Sequence, residues 1–144
     1  MDDRLHQVLI LDTDPDTLIA LQHVLEQAKI DATITWDEAE ACQLLETTLF
    51  DLILIGHHPP ELDAAAILDD LSSRGCCPPV LILRATIGEK DAEYSQRLGA
   101  IGVVPKRDPL AVLDQVTKTL ASLQFKAKSA KPGLVEARSF RAAS

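Results

Sequence analysis

Asp51-Leu-Ile-Leu-Ile-Gly-His-His-Pro-Pro-Glu-Leu-Asp63 decides the fold. An apolar run this short, stopped by a glycine and two prolines, reads as a strand buried on both faces, and so as the central strand of a parallel sheet. In such a sheet chemistry is confined to the crevice beyond the carboxyl ends of the strands. Gly56, His57 and His58 fall there, and the residue closing the strand has no side chain to react.

Working outward, Val8 to Leu11 is a second apolar run, closed by Asp12-Thr-Asp-Pro-Asp16. Leu18, Leu21, Val24 and Leu25 follow at helical spacing, with Asp14 as cap, Pro15 in the first turn and an end near Ala28-Lys29. Ala32 to Thr35 reads as a strand, and Asp37 to Thr47 as a helix turning Ala41, Leu44 and Leu45 inward. Beyond the central strand, Asp63 caps a helix carrying Ala66, Ile67 and Leu71, broken at Arg74-Gly-Cys-Cys-Pro-Pro79. Val80 to Leu83 gives a fourth strand and Glu89 to Leu98 a fourth helix, halted at Gly99. Ile101 to Val104 gives a fifth strand, and after Asp108-Pro109 the stripe Leu110, Leu113, Val116, Leu120 marks a fifth helix. Five strands alternating with five helices predict an α/β, doubly wound five-stranded parallel sheet.

The totals bound the rest. The 144 residues suit one domain, and 47% apolar with 25% charged residues is ordinary globular composition. Residues 1–123 are expected to form the domain and residues 124–144 a basic tail or linker. Five basic residues beyond Leu123 face one acid, so against a total of -8 the preceding part carries -12. An acidic body repels phosphate backbones, so no nucleic-acid partner is expected for it. No stretch is apolar enough for a bilayer, and the cysteine pattern (adjacent Cys76 and Cys77, an odd count of three) suits a reducing cytoplasm, so a cytoplasmic protein without membrane contact is expected. Leu134, Ala137 and Phe140 stand at helix-like spacing in an otherwise disorder-like tail, which leaves docking of that segment open.

Four stretches then stand in order: Val8 to Asp16, Asp51 to Pro60, Pro79-Val-Leu-Ile-Leu-Arg84-Ala and Leu98-Gly-Ala-Ile-Gly-Val-Val-Pro-Lys106. Together they resemble the CheY-like receiver domain of bacterial response regulators over residues 6 to 122. The resemblance implies a flavodoxin-like sheet of order 2-1-3-4-5. It also implies an aspartate phosphoacceptor ending strand three, two acids holding magnesium after strand one, a hydroxyl residue ending strand four and a lysine ending strand five. Here the acceptor position falls on Gly56. Asp12 and Lys106 are retained, whereas Thr13 stands at the second acidic position, Arg84 at the hydroxyl and Val103 at a common aromatic. A degenerate, non-enzymatic receiver is therefore expected, acting in a two-component phosphorelay system by phosphorylation-independent contact with a signalling protein. No cofactor is expected, magnesium included.

Several alternatives stay open at this point. Arg84 reaches either toward Asp12 or Asp14 or over helix four, and Lys106 pairs with Asp12 or lies on the surface. Asp12, Asp14 and His57 are weak metal candidates, with only one of His57 and His58 able to face the acids. Asp51 or Asp63 could stand in as phosphoacceptor in a working or metal-dependent switch, and the chain could be the N-terminal receiver of a truncated transcriptional regulator. A weak homodimer through helix 4, strand 5 and helix 5 is expected.

Overall fold

The computed structural model describes residues 6–58, 62–75 and 78–129. Leu134, Ala137, Phe140, Cys76 and Cys77 lie outside the described residues. The elements run β1 (His6–Leu11), α1 (Pro15–Gln27), β2 (Ile30–Thr35), α2 (Glu38–Thr47), β3 (Leu52–Gly56), α3 (Ala64–Arg74), β4 (Val80–Arg84), α4 (Asp91–Leu98), β5 (Gly102–Pro105) and α5 (Pro109–Ser129). All strand pairs are parallel, in the order β2-β1-β3-β4-β5. The α/β doubly wound sheet is thus the one expected, with β3 at its centre and all five of its residues buried.

Alternation along the strands splits the core into two layers. Val8, Ile10, Leu52, Leu54, Leu81, Leu83 and Val104 pack against α1 and α5. Leu9, Leu11, Ile53, Ile55, Val80 and Ile82 pack against α2 and α3, with Tyr94 and Leu98 of α4 at the margin. Each such aliphatic side chain contributes about 1.5–3 kcal/mol when fully buried, so consecutive residues on three neighbouring strands fix register and layer assignment together.

Caps follow the aspartates. Asp14, Asp37 and Asp63 each accept a backbone N–H of the first turn of α1, α2 and α3. Helices α3 and α4 stop at Gly75 and Gly99, both left-handed (φ 72° and 84°). Lys29 adopts φ 68° between α1 and β2, where a glycine would be the unstrained choice.

Some boundaries differ from the sequence reading. β2 begins at Ile30, two residues before Ala32, because its N-terminal half pairs with His6 and Gln7 of β1. In α5 the inward stripe is Val112, Val116 and Leu120 with Leu113 at its flank, whereas Leu110 is largely exposed. Asp108 accepts the Ala111 N–H, which makes residues 109–111 a first turn whose outer side carries Leu110. The backbone of α5 runs to Ser129, six residues past Leu123.

Candidate functional site

The C-terminal ends of β1, β3 and β5 deliver Asp12, Gly56 and Lys106 to one point. Asp12 follows β1 directly, and its N–H still bonds the Thr35 carbonyl, so its side chain is aimed by the sheet itself. Lys106 follows β5 in the same way, its N–H bonding the Arg84 carbonyl. The Lys106 Nζ lies 3.2 Å from both carboxylate oxygens of Asp12, which is wholly buried. Oδ1 also accepts the Asp14 N–H at 2.9 Å and contacts His58 Nε2 at 3.2 Å.

Gly56 makes this arrangement possible. A Cβ on it would stand 2.3 Å from Asp12 Oδ2 and 2.8 Å from its carboxyl carbon, closer than any real side chain tolerates. The Asp12 carboxylate therefore lies over the bare end of β3, in the space a side chain at position 56 would take. The reason for a glycine here is a close approach.

The adjacent histidines point apart. His58 is held by paired backbone bonds to Leu62, and its Nε2 reaches Asp12 and, at 3.1 Å, the hydroxyl of Thr13. His57 instead accepts the Ala64 N–H on Nδ1 at 3.1 Å, which leaves Nε2 to donate to the Tyr94 hydroxyl at 3.2 Å. It thus joins the first turn of α3 to α4. Burial, with Arg84 nearby, holds its pKa below the ordinary imidazole value of 6.5.

The remaining expected residues are placed as follows. Arg84 does not enter the pocket: its Nη1 is 3.8 Å from Asp91 Oδ1 at the start of α4, in keeping with the reading over helix four. Asp14 is turned to α1, where the Thr17 hydroxyl donates to it at 2.8 Å and lowers its pKa. Val103 packs on the α4 side of the sheet, beside Tyr94 and Leu98. Of the three weak metal candidates, only Asp12 is at the centre, and the imidazole beside it belongs to His58, because His57 is committed to α3 and α4. Asp51 lies at the opposite end of the sheet, accepting the Gln7 N–H at 2.8 Å, and Asp63 is engaged as the α3 cap.

A magnesium ion does not fit this donor set. Hard cations require several anionic or carbonyl oxygens in near-octahedral array. Position 56 supplies none, Thr13 offers a neutral hydroxyl, Asp14 is capping, and both oxygens of Asp12 face an ammonium. No group of three or more His, Cys, Asp or Glu among the described residues is arranged to hold a metal.

Comparison with known proteins places this geometry. The model of the response regulator receiver domain matches residues 8–120. The chain belongs to that family. Receiver domains are signalling modules of two-component systems, not enzymes. The chain is 29% identical over 109 residues to an uncharacterized 14.6 kDa protein in the sodA1 3' region of Leptolyngbya boryana, covering 74% of this chain and 83% of that protein. Among solved structures it is similar to the Francisella response regulator 1452 receiver domain, at 24% identity and TM-score 0.72, covering 82% of this chain and 98% of that one. A CheY-like receiver domain protein from Methanospirillum hungatei JF-1 superposes with TM-score 0.73 at 18% identity, over 85% and 99% of the two chains. No helix among the described residues is long and apolar enough to cross a membrane.

Two outcomes follow from this receiver's pocket. Gly56→Ala should cost about 1–3 kcal/mol, the usual range for overpacking, because the Asp12 carboxylate must leave its bonds to make room; urea denaturation measures it. The second concerns His57, whose folded pKa lies below the unfolded value. Its stabilising contribution is complete above pH 6.5 and is lost as pH falls through the lowered folded value. His57→Gln should accordingly flatten the fall in denaturation midpoint below pH 6.5 relative to the wild type.

Proposed function

We propose that this receiver signals through protein contact without a phosphorylation cycle, with Gly56 occupying the position of the family's phosphoacceptor. The observation that carries the reading is the Asp12 carboxylate lying where a residue-56 side chain would stand, held by Lys106 and His58. Phosphoryl transfer to a receiver depends on positioning and charge neutralisation around an acceptor oxygen. This pocket presents no such oxygen at Gly56 and no second carboxylate at Thr13, and the ammonium that would meet a phosphoryl group is already paired. Asp51 and Asp63, the acids that could substitute, have other partners away from Lys106.

Contact with other molecules is supported by the α4–β5–α5 face. Ile87 and Ile101 line a shallow cleft between α4 and β5, and Leu110 is exposed at the start of α5. A weak homodimer through this face, and a signalling protein as partner, fit these uncovered apolar residues. The expected site of the protein is the cytoplasm.

Incubation with acetyl phosphate and magnesium should leave the intact mass unchanged, whereas a Gly56→Asp, Thr13→Asp double variant should gain one phosphoryl group. Uptake by the unmodified protein would sink the reading. For the dimer, sedimentation over a concentration series should show reversible association that Ile101→Asp abolishes; a chain monomeric at every concentration excludes it.

A further inference from the structure

We infer that the open β2 edge, at Trp36, is a docking surface for a basic segment of a partner protein. This goes beyond the pocket and does not depend on whether Gly56 stands in for a phosphoacceptor. Among the described residues β2 pairs on one side only, with β1. Because the Asp12 N–H bonds Thr35 on the β1 side, Ala32 and Ile34 direct their backbone groups outward. Gln22 of α1 reaches the Ala32 carbonyl at 3.0 Å, so one flank of α1 lies along this edge. Ile19, one turn before Gln22, sits on that flank and is 62% exposed.

Trp36, the single tryptophan of the chain, follows β2 directly and is 69% exposed. Its exposure is built in. The Thr35 hydroxyl accepts the Asp37 N–H at 3.1 Å and donates to the Glu40 carboxylate, while Asp37 caps α2. The turn is pinned on both sides of the indole. A rigid, uncovered tryptophan is the side-chain type that most often anchors a protein interface.

Charge selects the occupant. Glu26 lies on α1 one turn beyond Gln22, Asp31 lies on β2, and Asp37, Glu38 and Glu40 stand at the start of α2, so residues 19–40 bring five acids and one lysine to this edge. A second copy of the chain would bring the same acidic edge against itself, which opposes pairing here. A lysine- or arginine-rich segment with an apolar residue gains both ways. Its cations face Glu26, Glu38 and their neighbours, a guanidinium or ammonium can lie on the indole face, and its apolar residue covers Trp36 and Ile19.

The test uses the full chain and a dye-labelled peptide alternating lysine with leucine, against the same peptide with glutamate for lysine. The basic peptide should shift Trp36 emission to the blue and bind in a saturable, salt-weakened manner, while the acidic one does neither. Trp36→Ala and the double reversal Glu26→Lys, Glu38→Lys should each weaken binding by about tenfold or more, read by peptide anisotropy. Glu89→Lys with Glu93→Lys, on the α4 side, should leave it within about twofold. Circular dichroism confirms that each variant keeps the fold. Absence of the emission shift, or equal losses from the α4-side reversal, overturns the proposal. So does concentration-dependent self-association removed by Trp36→Ala, which would make the occupant a second copy. Peptide binding seen only after removal of residues 130–144 would assign the edge to the chain's own basic end and likewise overturn it.

Discussion

The buried pair of Asp12 and Lys106, seated on Gly56, is the constraint from which the functional end of this molecule follows. Taking a carboxylate and an ammonium out of water costs several kcal/mol each, and the cost is met only where both are fully bonded. Here the lysine spans both oxygens, and Asp12 also receives the Asp14 amide and contacts the His58 imidazole. The missing Cβ at Gly56 supplies the room. The carboxyl ends of β1 and β5 are thereby tied together over the end of β3, and the Asp12 carboxylate is satisfied by protein groups.

The rest of that end is arranged around this closure. His57 and His58, adjacent in sequence, face opposite ways, so the chain leaving β3 makes two separate connections. One goes inward to Asp12 and Thr13, the other across to the first turn of α3 and to Tyr94 of α4. Arg84, leaving β4, is drawn to Asp91 and strengthens the α4 side, not the pocket. Lys106 is therefore the cation that meets Asp12, with Arg84 outside the pocket. At this end of the sheet these contacts crosslink strand ends and helices.

Away from this pocket the described surface carries uncovered apolar residues. Apart from Leu49, between α2 and β3, the large uncovered apolar residues of the described part fall in two regions with different electrostatics. Ile87, Ile101 and Leu110 border α4, β5 and α5, whereas Trp36 and Ile19 stand at the opposite edge of the sheet, within the most acidic part of the chain. The sheet order separates them: β2 and β5 are the two outer strands.

Much of this was legible in the residues alone. The four-residue apolar runs 8–11, 52–55 and 80–83 read as buried strands, and Asp14 and Asp63 were readable as helix caps because their role is local. That a glycine ends β3, and that Asp12, Arg84 and Lys106 stand at the ends of β1, β4 and β5, could be read once the four stretches were seen in order. The directions of side chains could not. That His58 and not His57 faces Asp12 depends on the bridge between His58 and Leu62, and that Tyr94 closes on His57 depends on how α4 packs over β4 and β5. Leu110 repeats with the period of the α5 stripe yet lies outside it, since the axis of a helix against its sheet, and not its period, decides which face is covered. Sequence periodicity records which residues share a face; only the packed tertiary structure fixes where that face points and whether a close approach, such as Asp12 over Gly56, leaves space for anything else.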